Sequence, residues 1–359
     1  MRVAIGQFGG PTPVLNATLG GVLGGCAAAG TEAWGIFGGP RGLAAGDLRP
    51  LPAGAEWSAG PGARLGAGRL AWGPAEREGA LAALRAHRID GLVLIGGNGT
   101  MGLGQDLTEA APGLAVVGVP KTIDNDLAGT DRAPGYRSAA TFTARACAAL
   151  EVDLRAMVGF EDVRVVEVMG RRAGWLAAAA VAGSPDAVVL LPEVPVDANH
   201  FRAAVAERHR RSGSALVVVA EGVRWAGGAE IGAMATDARG SRRVYGQAAG
   251  VLAAALRADL GLAVRAESLG FLPRCYLATA ADRAEAAAAG RRGAELLLAG
   301  HASVMVGIER GGALTTVPLA AAATGERTLP AAYHALGQAW RDWLLPLLEP
   351  PLPAGGSAP

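Results

Sequence analysis

Seven short apolar runs, each the length of a strand, alternate along this chain with longer Ala-rich stretches, and that alternation leaves few folds open. The runs fall at residues 3–7, 91–95, 115–119, 164–168, 187–191, 216–220 and 304–308. Several are continuous in Val, Ile and Leu, the pattern of parallel strands buried on both faces. Residues 15–29, 74–87, 138–155, 173–182, 200–211, 246–260 and 283–299 read as helices between them. Strand–helix alternation of this kind predicts an α/β protein with right-handed crossovers. Ligands should then gather beyond the carboxyl ends of the strands. A length of 359 residues is enough for two domains with sizeable cores, and a seam is expected near residues 135–138. Residues 53–63 read as a Gly/Ala/Pro surface loop. Residues 331–345 read as a terminal helix, with Trp340 and Trp343 packing on the body, and 346–359 as a frayed Pro-rich tail.

Composition narrows the function classes. The net charge is +1, and the arginines are dispersed, so nothing marks a nucleic-acid or membrane-surface partner. No apolar stretch reaches the ~18 residues that a membrane span requires. The chain starts directly with a strand-like run and lacks the regions of a secretory signal. Its three cysteines, Cys26, Cys147 and Cys275, show no CxxC spacing. A reduced, cytoplasmic protein is the expectation.

One lysine serves the whole chain. Of 33 basic residues, only Lys121 is not arginine, and it lies in Val119-Pro120-Lys121-Thr122-Ile123-Asp124-Asn125-Asp126. An ammonium is a compact point charge, whereas guanidinium is a planar fork, so a single small cation beside Thr and Asp groups suits phosphate chemistry. Asp124 and Asp126 stand two apart in what should be a loop after a strand. One carboxylate can take the proton of an attacking hydroxyl. The other can help hold Mg²⁺ or orient a sugar. Phosphoryl transfer depends mainly on positioning and charge stabilisation, which such groups supply. Taken alone, the segment also reads as a capped Asp/Asn turn.

Two Gly-rich segments also end strands and open helices. Gly9-Gly10-Pro11-Thr12 and Gly96-Gly97-Asn98-Gly99-Thr100 would let backbone N–H groups approach a phosphate at a helix N-terminus. Met169-Gly170-Arg171 follows another strand, where Gly170 permits close approach and Arg171 can pair with phosphate. Glu221 follows the run at 216–220 and can bind sugar hydroxyls. Arg265 and Arg274 flank Leu269-Gly270-Phe271-Leu272-Pro273 and could clamp a phosphate monoester, although single arginines in an Arg-rich chain more often face solvent.

These segments, in this order, resemble the 6-phosphofructokinase family over nearly the whole chain. Gly10-Pro11-Thr12 and Lys121 within residues 120–126 are most similar to its pyrophosphate-using and mixed-donor bacterial branch. The resemblance implies two α/β/α sandwich domains with mainly parallel sheets and an active site in the cleft between them. It places a donor-binding domain at 1–137 plus about 275–325, a sugar-phosphate domain at 138–274, a terminal helix at about 326–345 and a flexible tail at 346–359. It implies transfer of a phosphoryl group to the 1-hydroxyl of fructose 6-phosphate, with Mg²⁺, in a homodimer or homotetramer. Asp124 would be the base, assisted by Lys121, Thr122 and Arg171. Thr122 and Asp126 would sit beside sugar and metal, with Asn98 also near the metal. Met169, Gly170, Arg171 and Glu221 would hold the sugar phosphate, Phe271 would line its site, and Arg265 and Arg274 would clamp the 6-phosphate. Gly10, Arg69, Gly97, Asn98, Gly99 and Thr100 would face the donor.

The chain departs from the family pattern at several points. Asn98 replaces an Asp found in many relatives. Phe271 and Pro273 replace polar residues, Cys275 and Tyr276 replace two glycines, and Asp162 stands where some relatives place an Arg from a neighbouring subunit. For the donor, Gly99 and Lys121 pull in opposite directions. Pyrophosphate-type relatives pair Lys with an Asp at the Gly99 position, where it would crowd the α-phosphate of ATP. Gly99 removes that obstacle, so ATP is the expected donor and pyrophosphate the alternative. A kinase for another sugar phosphate, such as sedoheptulose 7-phosphate, or a non-catalytic paralogue are the remaining readings.

Overall fold

The computed structural model describes residues 1–52, 55–232 and 245–350. In chain order the elements are β1 (Arg2–Gln7), α1 (Leu15–Ala28), β2 (Glu32–Ile36), α2 (Pro40–Ala45), β3 (Leu48–Pro50), α3 (Pro74–Ala86), β4 (Gly91–Gly96), α4 (Asn98–Ala110) and β5 (Ala115–Pro120). Then come α5 (Tyr136–Ala156), β6 (Val163–Val168), α6 (Trp175–Ala179), β7 (Val188–Leu190), α7 (Ala198–Ser212), β8 (Ala215–Ala220), α8 (Ala248–Leu260) and β9 (Val264–Ser268). The last are α9 (Leu272–Cys275), α10 (Ala280–Leu298), β10 (Val304–Ile308), β11 (Leu314–Pro318), α11 (Leu319–Thr324) and α12 (Gln338–Leu344). The described chain divides into two compact units, Met1–Ser138 with Arg274–Arg327, and Ala139–Pro273 with the segment from Thr328 onward.

The first unit carries a seven-stranded sheet in the order β11-β10-β5-β4-β1-β2-β3. Its central pairings are parallel, and antiparallel edges are added by β11 and β3. Side chains alternate across the sheet, as strand geometry demands. Val3, Ile5, Val93, Ile95, Val117 and Val119 share one core with Leu15 and Leu19 of α1 and Leu296 and Leu297 of α10. Ala4, Leu92, Leu94 and Val116 share the other with Leu103 and Leu107 of α4 and Leu319 of α11. The continuous apolar runs thus reflect two buried faces. Helices α1 and α10 approach so closely that a Cβ at Gly21 would stand 2.0 Å from the Ala287 carbonyl oxygen, and one at Gly290 2.1 Å from that of Thr18.

The second unit carries a four-stranded parallel sheet, β7-β8-β6-β9. Every residue of β6 and β8 is buried. In β9 only Val264 is buried, as befits an edge strand. That polar pattern hid β9 from hydrophobic reading, and β3, at three residues, was too short to register.

The terminal segment differs from expectation. In place of one helix over 331–345, a 3-10 turn at Ala331–Tyr333 precedes α12. Leu336, whose φ is 50°, and Gly337 interrupt the helix between them. Trp340 and Trp343 stack at 5.2 Å and both meet Trp175, while the Trp340 indole donates to the Ala178 carbonyl at 2.9 Å. Nor is the beginning of the expected tail frayed. Leu347 and Leu348 are buried, and the Glu349 N–H donates to Thr141 Oγ1 at 3.3 Å. Residues 351–359 lie outside the described residues, as do 53 and 54 of the expected loop; within that loop a 3-10 turn occupies Ala55–Ser58. Among the described residues no helix is long and apolar enough to cross a membrane.

Candidate active site

In the first unit β1, β4 and β5 are parallel neighbours, so the loops that follow them emerge side by side. The Phe8 N–H donates to Ile95 O at 2.9 Å, and the Lys121 N–H to Gly96 O at 2.9 Å, extending the ladder to the edge where the loops begin. Gly9 turns with a φ of 82°, which only glycine adopts cheaply, and donates to Gly68 O at 2.9 Å. This brings the backbone next to Arg69 beside the loop; the Arg69 side chain is exposed.

Lys121 is 3% exposed, and its Nζ donates to the Gly10 carbonyl at 2.7 Å. Burial, and next the nearby Arg274 guanidinium, pull its pKa down to about 8, while Asp124 and Asp126 act in the opposite sense. Thr122 Oγ1 donates to Asp126 Oδ1 at 3.3 Å and accepts the Asp124 N–H at 3.1 Å. Asn98 Nδ2 donates to Asp126 Oδ2 at 3.2 Å. The loop is fixed from beneath by Asn125, held at a φ of 54°, whose Oδ1 accepts the Ala133 N–H at 2.9 Å. Arg327 holds its far side through a backbone bond to Asp126 O and a guanidinium bond to Asn125 O. The two carboxylates are therefore set on a loop with little freedom to drift.

Gly97 precedes α4, whose first residues are Asn98, Gly99 and Thr100. The N-terminal N–H groups of such a helix favour a bound anion. A Cβ at Gly99 would meet nothing within 4 Å, so the space over this helix end is open. The residues also suit a hard cation. Asn98 Oδ1 is buried and accepts no hydrogen bond, and it belongs to the same cluster as the Asp126 carboxylate. Such a small set of oxygen donors matches Mg²⁺, which keeps several of its waters and borrows phosphate oxygens.

In the second unit the sugar-side candidates collect at the carboxyl ends of β6 and β8. Gly170 has a φ of 133°, and a Cβ there would stand 2.7 Å from the Ala173 carbonyl oxygen. The Glu221 N–H donates to Val168 O at 3.0 Å, and the Gly222 N–H to Gly170 O at 3.2 Å, joining the two loops. Met169 is 8% exposed and lines the same edge. Arg171 Nε donates to Tyr245 Oη at 3.1 Å, and its guanidinium lies over that ring.

Arg265 stands elsewhere. It pairs in register with Arg164 near the amino end of β6, whereas Met169 follows the carboxyl end. Five residues of strand separate these levels by roughly 16 Å. Arg265 faces Glu161 at 3.7 Å and lies over the Phe160 ring. Arg164 is buried in pairs with Glu161 and Asp153, at 2.6 and 2.7 Å. Arg274 belongs to the first unit, where its guanidinium carbon would stand 3.3 Å from a Cβ on Gly10. Phe271 is 70% exposed.

Two residues of this edge escaped the sequence reading. Tyr245 lies far from Arg171 in sequence and in no recognisable motif. Glu193 accepts the Gly174 N–H at 3.0 Å and the Leu329 N–H at 2.7 Å, bracing the start of α6 behind Arg171. A carboxylate that accepts from backbone N–H groups leaves no sequence signal.

Comparisons with known proteins bear on the family and the fold. The family described as Phosphofructokinase matches residues 2–297. The chain is 38% identical to a sulfofructose kinase of Alkalicoccus urumqiensis, covering 98% of this chain and 96% of that protein. It is 35% identical to ATP-dependent 6-phosphofructokinase 2 of Streptomyces coelicolor, covering 92% and 97%. The crystal structure of a pyrophosphate-dependent phosphofructokinase from Nitrosospira multiformis superposes with a TM-score of 0.87 at 29% identity, covering 97% of this chain and 92% of that one. A match of this extent makes this chain a member of the phosphofructokinase family.

Proposed function

We propose that the chain transfers the γ-phosphoryl group of ATP to the 1-hydroxyl of a fructose that carries an anionic group on carbon 6. The observation that carries this reading is the cluster of Asp124, Thr122, Asp126, Asn98 and Lys121 on adjoining loops, beside an open helix N-terminus at Gly99. Asp124 accepts the proton of the 1-hydroxyl as its oxygen attacks the γ-phosphorus. The bond to the β,γ-bridging oxygen breaks, and ADP leaves with that oxygen. Lys121 supplies positive charge to the phosphoryl oxygens, and backbone N–H groups at the start of α4 supply donors. Asp126 and Asn98 would hold Mg²⁺, which when bound offsets phosphate charge. Arg171, Met169 and Glu221 orient the sugar. Arg265, roughly 16 Å down the strand direction from the Met169 level, is out of reach of a sugar held there, so it serves a sugar site only from a second copy of the chain.

Fructose 6-phosphate is the first candidate sugar. A second reading, 6-deoxy-6-sulfofructose, is favoured by the segment before Arg274. Phe271 offers no polar group and Pro273 no N–H, so this wall provides few donors for a phosphate dianion. Arg265 is also partly offset by Glu161. A sulfonate carries one negative charge and needs less compensation. The relative named sulfofructose kinase, similar over nearly the whole chain, supports this reading. Initial rates with both sugars, each with ATP and with pyrophosphate in the presence of Mg²⁺, test the proposal. A kcat/KM at least tenfold higher for one sugar assigns it, and no turnover of either sugar with either donor rejects the function.

A further inference from the structure

Helix α10 holds two carboxylates one turn apart, Asp282 and Glu285, and both grip the segment that follows the Thr122–Asp126 loop. Asp282 is fully buried. Its Oδ1 accepts the Gly135 N–H at 3.1 Å, and its Oδ2 accepts the Ser138 N–H at 3.0 Å and the Ser138 hydroxyl at 2.5 Å. That hydroxyl in turn accepts the Thr279 N–H at 3.1 Å, and Thr279 Oγ1 accepts the Asp282 N–H at 3.2 Å. Glu285 accepts from Arg132 Nε at 2.8 Å, while Arg132 Nη1 donates to Arg310 O at 2.7 Å. Both ends of residues 132–138 are thereby fixed to one helix.

Between those ends the segment carries the loop. The Thr122 N–H donates to Pro134 O at 3.3 Å, and Thr122 pairs with Gly135 in a parallel bridge. Asn125 Oδ1 accepts the Ala133 N–H at 2.9 Å, and Thr122 Oγ1 accepts the Asp124 N–H at 3.1 Å. Asp124 therefore lies between two residues tied to residues 133–135. Gly135 has a φ of 106°, and a Cβ there would stand 2.9 Å from Thr12 Cβ, so the segment has no slack on that side. A buried carboxylate is costly unless donors meet its oxygens. Burial pushes the Asp282 pKa up, and the bonds from Ser138 and Gly135 oppose that shift. An amide in its place has one acceptor oxygen, and in either orientation its NH₂ would face a backbone N–H.

We infer that Asp282 is a positioning residue for phosphoryl transfer: by holding Gly135 and Ser138 it keeps Thr122 and Asn125, and with them Asp124, in place. The inference rests on reading Asp124 as the base. The first test is backbone hydrogen–deuterium exchange of the full-length chain without sugar or donor, for the parent, Asp282→Asn and Ser138→Ala. Peptides covering residues 120–135 should exchange roughly tenfold faster in Asp282→Asn, the scale of one lost buried bond, while β1 and β4 keep the parent rate. Ser138→Ala removes one of the three donors and leaves both N–H bonds, so the same peptides should speed up by about threefold. It carries the same test where Asp282→Asn does not fold. The second test is kinetic. Asp282→Asn should lower kcat by roughly ten- to a hundredfold through a misplaced base, with both KM values within about threefold of the parent. In an Asp124→Asn background the same change should cost less than about threefold more, because the group it positions has lost its function.

Exchange over residues 120–135 at the parent rate in the folded variants would overturn the assignment. So would exchange raised equally in β1 and β4, which marks a general loss of stability. A kcat reduced by the same factor in both backgrounds would overturn it as well, since a smaller folded fraction lowers turnover whether or not the base is present. Because exchange is read without substrate, it decides the role of Asp282 even where neither fructose derivative is turned over, an outcome that rejects the proposed function alone. Thermal unfolding of each variant shows that the comparison is made between folded proteins.

Discussion

Asn98 Nδ2 donates to the Asp126 carboxylate at 3.2 Å, joining the first turn of α4 to the loop after β5. The bond spans two adjacent strand ends and stands where the family pattern would often place two carboxylates. With Asn98, one neutral donor holds the acidic loop even when no cation is bound. Asn98→Asp should exchange that bond for like-charge repulsion, a cost on the order of 1–3 kcal/mol. The loss should appear as a lower Tm in EDTA and should shrink when Mg²⁺ is added, since a cation shared by two carboxylates relieves their repulsion. Unfolding curves with and without Mg²⁺ decide it. An equal drop in both would place the cation elsewhere.

Lys121 should impose an alkaline limit on activity. Its pKa of about 8, lowered from 10.5 by burial and then by Arg274, means the free enzyme sheds the ammonium proton in a range open to assay. The kcat/KM for the donor, which reports the free enzyme, should fall about tenfold per pH unit above that value. Lys121→Arg keeps charge at all these pH values, so whatever activity it retains should lack this limb. Stability runs the other way. Between about pH 8 and 10.5 the unfolded chain keeps a proton that the folded chain has lost, so this group makes the fold more stable as pH rises through that window. A parent pH profile flat to pH 10 would remove Lys121 from the donor site.

Much of this architecture could be read from sequence because its information is local. Runs such as 91–95 and 115–119 are apolar on both faces, and their ends carry the Gly and Asp residues that the loops need. Strand β9 could not be read that way, because four of its five residues are exposed. The terminal segment misled for a related reason. Trp340 and Trp343 do pack on the body, as expected, but Leu336 and Gly337 break the helix that would have carried them from residue 331. The pairing of Arg171 with Tyr245 joins residues 74 apart, and no spacing rule reaches that far. The position of Arg274 against Gly10 is likewise a property of the folded chain, because flanking a motif does not say which loop a long side chain will reach.

Gly99 should govern the donor. An added Cβ there meets nothing within 4 Å, so Gly99→Asp can be made without a clash inside the chain. Its carboxylate would stand over the start of α4, where the α-phosphate of a nucleotide would be crowded and repelled, and its effect on the shorter pyrophosphate should be smaller. The expected outcome is a fall in kcat/KM for ATP at least tenfold greater than the fall for pyrophosphate, on the scale of one lost phosphate contact. Steady-state rates with each donor at saturating sugar give the ratio. Equal losses would sink the steric argument.

Asp124 should separate chemistry from binding. Its N–H is held by Thr122 Oγ1 at 3.1 Å, and the loop around it is braced by Asn125 and Arg327, so Asp124→Asn should leave the backbone in place. Asparagine keeps the shape and a hydrogen-bonding group but cannot take up the hydroxyl proton. The turnover number should fall by roughly 10²–10⁴, the usual contribution of a positioned general base. The KM values for sugar and donor should change far less, because neither depends on removing that proton. Donor binding measured without sugar should also survive. Near-parental turnover would pass the role of base to another group, and Asp126, four residues from Thr122 and bonded to it at 3.3 Å, would be the next residue to replace.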